Sequence, residues 1–134
     1  MPFPINTLFD MGLSGKTLLP DHTLEQAIQI LEETGARSLL VRDLKGNGVG
    51  IVSEHDIVRA FAAYGDSVKD ERVANFMTLD LVVTEEQADI DYVIKLMAEH
   101  NIRHMPVISN RGKVISFLSV MQVLMAKIGL SKPR

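Results

Sequence analysis

The chain has 134 residues and no cysteine. That excludes a disulfide framework and a zinc site built on thiolates, although it does not fix the compartment. No stretch approaches the roughly 18 uninterrupted apolar residues of a membrane-spanning helix. The opening, Met1-Pro2-Phe3-Pro4, lacks the basic head and long apolar run of a secretory signal. A cytoplasmic protein without membrane contact is the expectation. The broad positive charge of a nucleic-acid surface is missing too: the formal net charge is −3, so nucleic acid is not expected as a partner. Phosphate-loop, nucleophile-elbow and zinc-protease motifs are all absent, so neither an enzyme nor a catalytic cofactor is expected. What remains is ordinary globular material, 46% apolar and 23% charged, long enough for one compact module.

The chain repeats itself. A shift of 66 residues lays 17–60 on 83–126 without a gap, with seven identical pairs that include Arg37/Arg103, Gly46/Gly112 and Ser53/Ser119. The apolar pattern is the stronger sign. Leu24, Ala27, Ile28 and Leu31 stand at i, i+3, i+4 and i+7, and Ile90, Val93, Ile94 and Met97 do the same, which predicts two amphipathic helices. Thr23 with Gln26 has capping-box spacing and Asp89 is a candidate N-cap. Gly35 and Asn101, one shift apart, are residues that tolerate the left-handed geometry of a helix stop.

After each stop come two apolar runs around a turn, Ser38–Val41 then Val49–Val52, and Met105–Ile108 then Val114–Leu118, with Gly46 or Gly112 between them. A second helix follows each pair, from Ser53 with Ile57, Val58 and Phe61, and from Ser119 with Val123, Leu124 and Ile128. Short strands are expected before each unit, at 17–19 and 81–83. The reading is α+β, two pseudo-twofold related β-α-β-β-α repeats at 12–64 and 76–130 with a polar joining stretch at 65–75, forming a single module over 1–134. Each repeat buries only a small core alone, so the small sheets are expected to pack on one another and leave clefts lined by both.

Plain structural roles compete for the polar residues. Ser53 with Asp56, and Ser119 with Gln122, have the spacing of helix caps. Arg103 and His104 fit a strand entry. His100 and His104 have the i, i+4 spacing of a metal pair, but a helix end at Asn101 separates them and no third ligand is evident, so no metal site is expected. Glu85, Glu86, Asp89 and Asp91 read as a solvated helix start. Met97, Met105, Met121 and Met125 read as core.

Gly50-Ile51-Val52-Ser53-Glu54-His55-Asp56 resembles the strand-to-helix signature of cystathionine-β-synthase (CBS) domains. Ile102-Arg103-His104-Met105-Pro106-Val107 resembles that family's other signature, and Phe76-Met77-Thr78 its opening. The resemblance covers nearly the whole chain after the first sixteen residues. It implies a tandem CBS pair, or Bateman module, of the stand-alone bacterial type, non-catalytic and often dimeric. Such a module senses an adenine-containing ligand such as AMP, ADP, ATP, NAD or S-adenosylmethionine for a regulated protein partner.

Carried over by position, the resemblance assigns the ribose hydroxyls to Asp56 and the ribose and phosphate neighbourhood to Ser53. Arg103 and His104 face the phosphate, with Arg37 as a further cation, and Ile51 and Ile102 sandwich the base. His55, Leu79, Asp80 and Pro106 are neighbours of the cleft. The chemistry suits the roles: a carboxylate accepts two charge-assisted bonds from a vicinal diol, and Arg grips phosphate bidentately. The second repeat departs from the pattern, with Ser116 in place of the strand glycine and Gln122 in place of Asp56. One strong site per chain around Asp56 is therefore expected, with a weak or empty second site at Ser119 and Gln122, Ser116 filling room that glycine leaves to a ligand. A nucleotide-independent dimerisation scaffold is the alternative.

Overall fold

The computed structural model describes residues 17–79 and 81–130. The chain divides into two compact units, Gly15–Leu81 and a second that carries the described residues from Val82 on. In the first unit α1 (Leu24–Thr34) is followed by strands β1 (Ser38–Arg42) and β2 (Gly48–Ser53) and by α2 (Glu54–Tyr64). The second repeats the order: strand β3 (Thr84–Glu85), α3 (Ile90–His100), β4 (His104–Ile108), β5 (Val114–Ser119) and α4 (Val120–Lys127). The 66-residue shift carries α1 onto α3, β1 onto β4 and β2 onto β5 residue for residue. Even the irregularity in strand pairing recurs, between Val41 and Arg42 and between Val107 and Ile108.

The helix boundaries follow from their caps. Thr23 closes its capping box with Gln26, and Asp89 accepts from the Asp91 N–H. Gly35 at φ 70° and Asn101 at φ 54° end α1 and α3 in the left-handed region, where glycine is unstrained and asparagine is tolerated. β1 pairs antiparallel with β2, and β4 with β5. β1 is buried along four of its five residues, which is why it reads as one continuous apolar run.

Each unit has its own core. Leu18, Leu24, Ala27, Leu39, Val41, Val52 and Val73 pack in the first, and Ile90, Val93, Met97, Met105, Val107, Leu118 and Val123 in the second. Residues 65–75, read as a polar joining stretch, form two 3₁₀ turns, Asp66–Asp70 and Val73–Asn75, that bury Val68 and Val73 in the first core.

Three expectations need correction. The strand expected at 17–19 is a single parallel bridge, Leu18 to Val41. The strand expected at 81–83 lies at Thr84–Glu85, pairing in parallel with Val107 and Ile108. Its buried residue is the polar Thr84, which the apolar run Leu81-Val82-Val83 masked. Met97 and Met105 are buried, but Met121 and Met125 are not core residues: they lie on the outer face of α4, and Val58 on α2 and Ile28 on α1 are also exposed.

Candidate functional site

In the first unit β2 runs directly into α2 at Ser53. The Asp56 N–H donates to Ser53 Oγ at 3.1 Å and the Ser53 N–H donates to Asp56 Oδ2 at 2.9 Å. One carboxylate oxygen is thus spent on the helix start, while Oδ1 has no hydrogen bond or ion pair among the described residues. The capping role is realised and leaves an anionic acceptor over. The Glu54 N–H donates to the Arg37 carbonyl at 2.9 Å, which fixes Arg37 beside the same helix start. Arg37 and His55 are exposed there. Leu79 is exposed, and Asp80 lies outside the described residues.

Gly50 and Ile51 carry a strand-like partner. Ile51 exchanges two backbone hydrogen bonds with Thr78, at 3.0 and 2.8 Å. A Cβ at Gly50 would stand 2.6 Å from Met77 Sδ and 3.1 Å from the Thr78 carbonyl oxygen. The room beside this glycine, expected to serve a ligand, is therefore filled by the chain itself. At the equivalent place in β5, Ser116 is fully buried and its hydroxyl has no hydrogen-bond partner among the described residues. An unsatisfied buried hydroxyl costs about 1–3 kcal/mol. Ser116→Ala is accordingly expected to stabilise the protein by about 1 kcal/mol, read as a rise in the urea midpoint without a change in slope.

The head of α4 repeats the arrangement with different chemistry. Ser119 and Gln122 form the same capping box: the Ser119 N–H donates to Gln122 Oε1 at 2.8 Å and the Gln122 N–H to Ser119 Oγ at 3.1 Å. Towards a diol, the other atom of the fork is then an amide nitrogen, a donor, where Asp56 has an anionic oxygen. The Val120 N–H donates to the Arg103 carbonyl at 2.7 Å, placing Arg103 as Arg37 is placed. Ile102 is half-buried and donates its N–H to Met97, while Pro106 is buried within β4 opposite Phe117. The structure thus gathers Arg37, Ile51, Ser53, His55 and Asp56 at one helix start and Ile102, Arg103, His104, Ser119 and Gln122 at the other.

His104 is half-buried and stacks on Phe117, ring centroids 5.1 Å apart and planes 19° from parallel. Phe117 was not singled out from sequence, although the shift equates it with Ile51. Burial, and then the Arg103 charge, lower the His104 pKa from 6.5, so the cation of this pair at neutral pH is Arg103. The unfolded chain binds a proton there more readily than the folded one, so the contribution of the neutral ring is fully present above about pH 6.5 and is lost as pH falls through that value towards the lowered pKa. Between pH 7.5 and 5.5 the melting temperature should fall more steeply in the wild type than in His104→Gln; parallel curves would exclude His104 as the source.

A groove of about 530 Å³ also opens in the second unit, lined by Thr84, Glu85, Asp89, Tyr92, Ile108 and their neighbours, and none of the ligand-binding residues expected from sequence lines it. No helix among the described residues is long and apolar enough to cross a membrane.

Against known proteins, the profile of the CBS domain matches residues 16–63 and again 73–129. The chain belongs to the CBS domain family. A curated relative, an uncharacterized protein of Methanocaldococcus jannaschii, is 32% identical over 120 residues, 88% of this chain and 42% of its own length. The chain spans between 42% and 60% of the first curated relatives it matches. A solved CBS-domain protein of Agrobacterium tumefaciens superposes with a TM-score of 0.83 at 27% identity, over 93% of this chain and 99% of its own. Two CBS proteins solved with ligands share the fold at 21% identity. CBSX2, in complex with AMP, has a TM-score of 0.79 over 96% of this chain and 98% of its own. A CBS domain pair in complex with 5-methylthioadenosine and S-adenosyl-L-methionine has a TM-score of 0.77 over the same shares.

Proposed function

We propose that this CBS pair is a non-catalytic regulatory module that binds an adenine nucleotide, AMP, ADP or ATP before NAD or S-adenosylmethionine, with one strong site per chain centred on Asp56. The observation that carries the proposal is the unspent Asp56 Oδ1 at the start of α2, an anionic acceptor for a vicinal diol. Asp56 takes the ribose hydroxyls, and Ser53 and Arg37 flank it. Arg103 and His104, heading β4, are the proposed phosphate-facing pair, with Arg103 supplying the charge. Adenosine-based ligands bound to CBS proteins of the same fold support the ligand class.

The scaffold reading rests on the capping boxes, which satisfy both helix starts without any ligand. Thermal unfolding with each of the five ligands at about 100-fold excess over Kd separates the two. Binding of that strength adds about 2.7 kcal/mol to the folded state, a shift of several degrees. A shift that shrinks in Asp56→Asn supports the site. No shift with any of the five overturns the nucleotide reading in favour of the scaffold.

A further inference from the structure

The turn that leads into the first helix of each unit is built twice and finished once. Leu19–His22 and Glu85–Ala88, one 66-residue shift apart, are each closed by a backbone bond from the fourth residue's N–H to the first residue's carbonyl, at 3.0 Å in both. In the first unit the His22 ring folds back over its turn, and its Nδ1 accepts the Leu19 N–H at 2.8 Å. Ala88 stands at that place in the second unit and has no acceptor to offer. Leu18 spends both of its backbone groups on β1, and in the same register Thr84 spends its own on β4, so the Glu85 N–H, next along the strand, points away from the sheet. No acceptor meets that N–H among the described residues.

The groove of about 530 Å³ opens at this unfinished turn, and Glu85 and Ala88 line it with Thr84, Asp89, Tyr92 and Ile108. Thr84 is only 5% accessible, and its hydroxyl has no hydrogen bond among the described residues. Ser116 is the described residue whose unpartnered hydroxyl is sealed from solvent, so the Thr84 hydroxyl reaches the groove it lines. The equivalent position in the first unit is the buried Leu18, so the fold itself has no need of a hydroxyl there.

We propose that this groove binds an uncharged nitrogen heterocycle in the room that the His22 ring takes in the first unit. A ring nitrogen accepts from the Glu85 N–H, as His22 Nδ1 accepts from Leu19, and the Thr84 hydroxyl bonds to the same ring. The charged residues lining the groove, Glu85 and Asp89, are both acidic, which excludes a phosphate or carboxylate and selects a ring carrying an N–H or amino group. Tyr92, 53% accessible where the first unit has Gln26, offers an aromatic face for stacking. The groove falls in the size range of small-molecule sites and takes a ring larger than imidazole. The inference stands independently of the nucleotide reading.

Imidazole and adenine are the probes, titrated into the full chain at pH 8, where an imidazole ring is neutral, and followed by the amide resonances. For ligands this small, saturation on the order of millimolar is expected, with the largest shift at the Glu85 amide and smaller ones at Thr84 and Ala88. Ala88→His restores the ring and should abolish those shifts. Thr84→Val, which keeps the shape, should weaken both probes about three- to tenfold, and Asp56→Asn should leave them unchanged. Acetate should not shift these amides. Absence of saturable shifts with either probe overturns the proposal, as does acetate acting like imidazole or binding that survives Ala88→His. If Ala88→His fails to fold, Thr84→Val decides: unchanged affinity in it overturns the proposal.

Discussion

Valine in place of Gly50 is expected to destabilise the protein by about 2–3 kcal/mol, lowering the melting temperature by several degrees or more. The reason is a close approach rather than backbone strain. The added Cβ meets Met77 Sδ at 2.6 Å and Cγ at 2.8 Å, which a flexible side chain can relieve by swinging away. It also meets the Thr78 carbonyl oxygen at 3.1 Å, and that carbonyl is pinned by its bond from the Ile51 N–H. The further methyl groups of valine press on backbone that has nowhere to go. Alanine is expected to cost about 1 kcal/mol, the gentler end of overpacking. Met77→Ala in that background should restore part of the loss, a coupling that a double-mutant cycle by urea unfolding measures. Additive effects would show that Met77 is not the obstacle.

Asp56→Asn separates the two uses of that side chain. Its carbonyl oxygen still accepts from the Ser53 N–H, so the capping box survives, and losing a negative charge in the first turn of α2 costs no more than about 1 kcal/mol. The anionic acceptor for a diol is gone, and ligand affinity should fall about ten- to a hundredfold. At a ligand concentration 100 times the wild-type Kd, the stabilisation of about 2.7 kcal/mol shrinks to about 1.4 for a tenfold loss and about 0.4 for a hundredfold one. Calorimetric titration of the two proteins at one pH checks the affinity, and unfolding without ligand checks the cap. Equal affinity in both would remove Asp56 from the site.

The order helix, strand, strand, helix was legible twice over, because caps and periodicity are local signals and the duplication repeated each of them. The short third strand was not. Its buried residue is Thr84, and apolarity pointed instead to Leu81-Val82-Val83, although the shift that equates Leu18 with Thr84 marked the right place. Met121 and Met125 were misassigned for a related reason: helical spacing says which residues share a face and not whether that face is covered. At the site, the capping fork of Ser53 and Asp56 could be read from spacing. The proximity of Gly50 to Met77 could not, since the two are 27 positions apart and joined by pairing between Ile51 and Thr78. Nor could the lowered pKa of His104, which follows first from the burial of its ring and then from the Arg103 charge.

The residue that closes the capping box of the second helix in each repeat has a choice that follows from its geometry. Asp56 and Gln122 receive the same backbone N–H at 2.9 and 2.8 Å, so the helix start is served equally by acid or amide. The second atom of the fork differs in kind, an anionic oxygen in one repeat and an amide nitrogen in the other. A duplicated unit can therefore carry either side chain at this position and keep its helix start, while the chemistry presented beside that start changes. Selection for folding and selection for recognition act on different atoms of one side chain, which lets two halves of one gene drift apart in chemistry while their backbones stay in register.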